Sequence, residues 1–459
     1  MNFNTLSKDY KEEYIKKAFE LLKIPSVFEE SDRYPYGKAI DDVLDKALSI
    51  AEDDGFVTKN VDGHGGHIEF GEGEDLIGIL GHLDVVPAGE GWSSNPFEPV
   101  VKDNKLYARG AQDDKGPVMA AYIAMKLLKD QGFHPKKRVR LILGSDEERD
   151  WKGIEYYFKE EEMPAVGFTP DASFPVIHAE KGLLDCFITF EMEDRKDGKI
   201  EILQLAGGDR LNMVPEEATA VLKTADNNLK KKLKEYKEKE NIEALLEVKD
   251  GRGIVKVKGK AVHASKPEEG QNAITGLLGF LLELPLSSTE KGVIRKIHKA
   301  FLMTDGEGLD IKRSDKVSGP LTSNLGSIEF HEGTCKVGFN LRYPVTVEYE
   351  TVLECLERVV SKMNGTLKVY DHLPSIHLDK GHPFVETLLD VYNSVTGERL
   401  SAHTIGGATY ARALDAGVAY GALFADSPDT AHQKDEHVLL DDMVRAIEIY
   451  ATCIYELTK

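Results

Sequence analysis

The sequence predicts an α/β fold: a mostly parallel sheet flanked by helices, interrupted by an inserted α+β domain. Three observations predict it. Two short apolar runs, Leu76–Leu80 and Val139–Leu143, are separated by a helical pattern from Pro117 to Lys129, the order expected of parallel strands joined by a crossover helix. Helical patterns recur at both ends of the chain. Between Asp185 and Lys380 the texture changes to alternating strands mixed with helices.

Taken in order, Tyr14, Ile15, Ala18, Phe19 and Leu22 fall at helical spacing within Tyr10–Leu22, and Ala39–Asp53 forms a second helical pattern. Leu76–Leu80 has the uninterrupted apolar character of a strand buried on both faces. A Pro/Gly-rich stretch, Pro87–Pro99, leads to the helix that opens at Pro117 and stops before Gly132. In the middle block, Gly253–Gly259 and Lys336–Arg342 alternate as strands, Ala273–Leu284 reads as a helix, and the Lys-rich run Leu229–Lys239 reads as a solvated helix face. Helices at Phe384–Val395 and Met443–Leu457 return to the α/β pattern.

At 459 residues the chain exceeds what one core usually organises. The expected division is a first segment 1–185, an inserted domain 186–379 and a second segment 380–459, the two outer segments folding together. With 41% hydrophobic and 30% charged residues the composition is that of a globular protein. A net charge of -21 disfavours nucleic acid and anionic membranes as partners. The four cysteines, Cys186, Cys335, Cys355 and Cys453, have no C-x-x-C spacing and read as inert thiols of a reducing compartment. No signal-peptide pattern and no uncharged run of about 18 residues occurs, so the cytoplasm is the expected location. Walker-type, dinucleotide and G-x-S-x-G signatures are absent.

Chemistry-bearing residues cluster just after the predicted strands, where an open α/β sheet collects its ligands. Gly81-His-Leu-Asp84 follows the first apolar run; in an extended chain Asp84 could accept the second ring N–H of His82 and aim the imidazole at a metal. Asp113 and Asp114 precede the helix, where capping is the alternative role. Gly144-Ser-Asp-Glu-Glu148 offers adjacent carboxylates, Thr169-Pro-Asp171 a lone aspartate that would otherwise be a turn residue, and Asp429–Glu436 contains His432. His437 reads as a loop histidine.

Jointly these motifs resemble the M20 family of metallopeptidases, and Gly81–Pro117 with Gly144–Trp151 is similar to its PepV-type dipeptidases. The resemblance extends through Pro170–Phe174, His178–Gly182, Asn212–Pro215, Gly259–Ala264, Asn340–Pro344 and Gly406–Arg412. It implies that His82 and Asp171 bind one metal, that Glu148 and His432 bind another, and that Asp113 bridges both. Two divalent ions are expected, zinc first, with manganese or cobalt also suited to such donors. A cis peptide between Asp113 and Asp114 is implied as well. Glu147 would be the general base acting on a metal-bridged water, Asp84 would support catalysis through His82, and His263 would donate to the oxyanion. Arg342 would clamp the substrate carboxylate, with Asn212, Gly407 and Thr409 as further substrate contacts.

The expected substrate is a small peptide, cut by a monomer whose inserted domain acts as a lid and limits substrate length. Ala408 and Glu90 depart slightly from the family pattern. The alternatives are an N-acyl amino acid deacylase or desuccinylase using the same centre, and a nonhydrolytic binding protein on the same fold; an intact Glu147 argues against the latter.

Overall fold

The computed structural model describes residues 1–192, 197–224, 228–249 and 251–459. The chain divides into two compact units. Met1–Ala179, Ile376–His403 and Thr409–Lys459 form the first, and Glu180–Ser375 with Thr404–Ala408 the second. Against the expected insert at 186–379, the second unit begins at Glu180, ends its main span at Ser375 and also takes in Thr404–Ala408.

The first unit is built on a mixed sheet. At its centre Leu76–His82 pairs in parallel with Arg138–Gly144 on one side and Val166–Thr169 on the other, and Gly417–Tyr420 extends the parallel set. Gly65–Phe70 and Val57–Asn60 continue it antiparallel beyond Arg138–Gly144. Every residue of Leu76–His82 is buried, which explains its unbroken apolar character. The helix Lys115–Asp130 packs on this strand and on Leu440–Thr458. It is buried from Lys115 through Met125, so its small and apolar residues surround it instead of forming one stripe. Close approach at its start is possible because residue 81 is glycine: a Cβ there would fall 2.3 Å from Val118 Cγ2 and 2.5 Å from Asp114 Oδ2. The parallel strands therefore end beside the helix start, with His82, Gly144 and Thr169 as their last residues.

The second unit holds an eight-stranded sheet. Its long strands Gly182–Glu191, Thr322–His331 and Thr334–Tyr343 pair antiparallel. Burial alternates along Gly182–Glu191, the signature of a sheet with one covered face. Ala273–Leu282 and Ser288–Phe301 supply the cover, the latter started by a capping box between Ser287 and Glu290. The Lys-rich run forms the helix Leu229–Glu240, which buries Leu229, Leu233 and Tyr236. All four cysteines are free and buried. Among the described residues no helix is long and apolar enough to cross a membrane.

Candidate metal centre

Five side chains of the first unit, His82 from a strand end and Asp113, Glu148, Asp171 and His432 from separate loops, converge. His82, Asp113 and Asp171 each bring a donor atom within 4.8 Å of the others, and Asp113, Glu148 and His432 do the same. Asp113 belongs to both sets. Its Oδ1 lies 2.9 Å from His82 Nε2, and its Oδ2 lies 2.9 Å from His432 Nε2. His432 Nε2 is also 2.9 Å from Glu148 Oε1, while Asp171 Oδ2 stands 3.7 Å from His82 Nε2. Glu147 groups with His82 and Glu148 at the same 4.8 Å limit.

Electrostatics reflect the crowding of carboxylates. Burial disfavours charge on His82, yet hydrogen bonding to Asp113 and the nearby Asp84 raise its pKa well above the ordinary imidazole value. Hydrogen bonds to Asp113 and Glu148 push His432 up to about 10. Burial, reinforced by the charge of Asp113, raises Asp171 to about 7. Burial likewise drives Glu147 well above the carboxylate range. For Asp113 burial is outweighed by His432 and His82, which hold its carboxyl below that range.

This is the charge pattern of a site built around cations. Asp113, Glu148 and Asp171 bring three carboxylates, and His82 and His432 two imidazoles, to one place. Imidazole nitrogen and carboxylate oxygen are donors that suit zinc and also accept manganese or cobalt. The residues present therefore fit a pair of divalent ions.

Backbone bonds hold the segment that carries Asp113 in place. Glu436, buried and missed as a functional residue in the sequence, accepts the N–H groups of Gly110 at 3.0 Å, Gln112 at 2.8 Å and Asp113 at 3.1 Å. Arg109 Nη1 donates to the same carboxylate at 2.6 Å. Its position four residues beyond His432 was the only sequence signal.

Asp84 differs from its sequence-based expectation. His82 Nδ1 is hydrogen-bonded to the backbone carbonyl of Asp84 at 2.9 Å, whereas the nearer carboxylate oxygen is 3.6 Å away, beyond a good hydrogen bond. The Asp84 carboxylate instead accepts the backbone N–H groups of Glu147 and Glu148, at 3.1 and 3.0 Å. The regular strand ends at His82, so the alternation assumed for positions two apart does not continue to Asp84. The capping alternative for Asp114 also changes: it occupies the cap position, but its side chain makes no capping bond and Oδ2 accepts the His82 N–H at 3.2 Å. The Asp113–Asp114 peptide is cis. His437 lies in a short strand, His437–Leu439, and not in a loop.

A cavity of about 240 Å³ adjoins Glu148, bounded by Val27, Phe28, Val86 and Pro87 together with Asp84. Arg149 lays its guanidinium 3.4 Å over the Phe28 ring at this cavity.

With this geometry established, residues 78–456 match Peptidase family M20/M25/M40. The chain belongs to that family. It is 41% identical over 456 residues to the protein described as "Putative dipeptidase YtjP" of Bacillus subtilis, covering 98% of each chain. Among solved structures, the M20 fold is shared with aminoacylhistidine dipeptidase from Vibrio alginolyticus, at a TM-score of 0.62 and 14% identity over 97% of this chain and 96% of that one. Human carnosine dipeptidase 1 gives a TM-score of 0.56 at 15% identity, covering 99% and 98%.

The remaining expected site residues belong mainly to the second unit of this M20 peptidase. His263 Nδ1 lies 2.8 Å from Ser265 Oγ, and its Nε2 is 3.4 Å from Arg342 Nη2. Arg342 is buried on Thr334–Tyr343, with Nε donating to Asn340 Oδ1 at 3.0 Å and Nη1 to the Gly406 carbonyl. Asn340 in turn donates to Asp185 at 2.7 Å. Asn212 is exposed, and its carbonyl accepts the Ala264 N–H at 2.8 Å, tying it to the His263 turn. Gly407, half-buried, follows the Arg342-bonded Gly406. Thr409 falls in the first unit, buried, with its hydroxyl accepting the Ala411 N–H.

Proposed function

We propose that this M20 peptidase is a dipeptidase that hydrolyses the peptide bond of dipeptides with two divalent ions, zinc foremost. The single observation that carries the reading is the sharing of Asp113 between two ligand sets, His82–Asp171 and Glu148–His432. When bound there, the ions would act as Lewis acids and acidify the attacking water. His82, Asp113, Glu148, Asp171 and His432 would be occupied as ligands. Glu147, supplied by the same turn and not needed as a ligand, would accept the proton of that water and deliver it to the departing amine.

Other side chains would hold the substrate. Arg342, with its guanidinium anchored by Asn340, suits the terminal carboxylate in a bidentate pair. A carboxylate drawing Arg342 off His263 Nε2 would leave that nitrogen to donate to the oxyanion, with Asn212 and Gly407 beside this pair and Thr409 holding the following turn. The cavity bounded by Val27, Phe28, Val86 and Pro87 would accept an apolar side chain. We further propose that the second unit serves as a lid limiting substrate length, and that the protein works as a cytoplasmic monomer.

Assay of metal-loaded protein on dipeptides, tripeptides and acetylated or succinylated amino acids tests the reading. Dipeptides should be turned over best. A clear preference for the acylated compounds would replace it with a deacylase or desuccinylase.

A further inference from the structure

Trp151 occupies an unusual place in the backbone. Its φ is 57°, in the left-handed region that a bulky side chain rarely adopts, three residues after Glu148 and at the start of the helix Lys152–Glu160. The conformation brings the indole back over the turn it has just left. Nε1–H donates to the carbonyl of Glu147 at 2.6 Å, and the Trp151 backbone N–H donates to the Asp146 carbonyl at 3.1 Å.

Both peptide planes flanking the Glu147 Cα are therefore held. On one side Asp84 takes the Glu147 N–H. On the other, the plane between Glu147 and Glu148 is pinned at both ends, its N–H by Asp84 and its carbonyl by Trp151. With those planes fixed, φ and ψ of Glu147 are set and so is the direction in which its side chain leaves the backbone.

The indole is itself immobilised. It meets the Tyr410 ring edge-on at 5.3 Å, and Tyr410, fully buried, meets the His82 ring edge-on at 6.2 Å. Tyr410 has no room to swing towards the sheet, since even a Cβ on Gly144 would fall 2.2 Å from its hydroxyl oxygen. His82, Tyr410, Trp151 and the Glu147 carbonyl thus form one contact chain.

We propose that Trp151 is a positioning residue for Glu147, its indole N–H fixing the turn that presents the carboxylate and coupling that turn through Tyr410 to the metal ligand His82. The inference rests on the assignment of Glu147 as proton carrier.

The test uses the full-length protein. Trp151→Phe keeps an aromatic ring against Tyr410 but removes the N–H. It should lower kcat by about tenfold or more while leaving KM and the number of zinc ions bound unchanged. A purely structural role would lower the melting temperature without that split. A second measurement does not depend on that variant folding. The chain has two tryptophans, so Trp92→Phe leaves Trp151 as the sole indole emitter. Zinc added to chelator-treated Trp92→Phe protein should shift the Trp151 emission in step with zinc uptake. Wild-type kcat in Trp151→Phe alongside an inactive Glu147→Ala, or emission indifferent to zinc, would overturn the proposal. An active Glu147→Ala would instead overturn the assignment of the base, leaving the zinc-dependent emission to decide whether Trp151 is coupled to the ligands.

Discussion

Asp84 Oδ1 accepts the backbone N–H of Glu147 at 3.1 Å, across 63 residues of sequence. Its other oxygen accepts the N–H of Glu148, so one buried carboxylate holds the turn from which the proposed base and a proposed metal ligand both project. Asp84→Asn retains one acceptor but turns an NH2 group towards the other N–H. The variant should lose about 2 kcal/mol of stability, as a buried donor is left facing a donor, and bind zinc about 10- to 100-fold more weakly. Thermal unfolding and zinc titration check both. Unaltered zinc affinity would mean that the clamp has no influence on the ligands.

Glu147→Ala separates proton transfer from metal binding. Because Glu148, not Glu147, shares a ligand set with Asp113 and His432, the variant should keep its metal content. Its turnover should fall by at least about a thousandfold. Metal analysis and single-substrate kinetics on the same preparation check this, and an active variant would place the base elsewhere.

His263→Ala should lower kcat by about a hundredfold with little change in zinc binding, as expected for the loss of one oxyanion donor. Arg342→Ala should chiefly raise KM, and should do so less for a dipeptide amide than for the free acid, since only the latter carries the carboxylate the guanidinium would clamp. Equal effects on both substrates would remove Arg342 from that role.

Away from the centre, His67 gives a pH dependence of stability. Burial, aided by Arg140, lowers its pKa to about 4, and its Nδ1 lies 2.8 Å from the Tyr157 hydroxyl. The unfolded chain binds a proton on this residue below about pH 6.5, whereas the folded chain resists until about pH 4. The native state is therefore favoured most above the unfolded value, and this contribution is lost as pH falls between the two. His67→Gln should show a smaller drop in melting temperature than wild type between pH 7 and 5.

Several of the residues that converge were legible in the sequence because they follow strands that announce themselves. The apolar runs Leu76–Leu80 and Val139–Leu143 put His82 and Glu147–Glu148 just beyond strand ends, and in the fold those two strands are parallel neighbours. The supports were harder to read. Asp84 was expected to orient His82 with its carboxylate, but the chain leaves the strand at His82 and the carboxylate turns to the loop after Gly144. Glu436 and Trp151 act through backbone groups, which leave no side-chain pattern to recognise: any segment has carbonyls and N–H groups. For Trp151 the decisive feature is a positive φ at a bulky residue, visible only once the turn is built.

Asp113 stands in both candidate ligand sets. Equilibrium dialysis with zinc, read by elemental analysis on wild type and Asp113→Ala, tests the proposed sharing most directly. The account predicts about two tightly bound ions per wild-type chain and weakened binding of both in the variant. Saturation of the wild type at one ion, or a variant that loses one ion while holding the other unchanged, would contradict it.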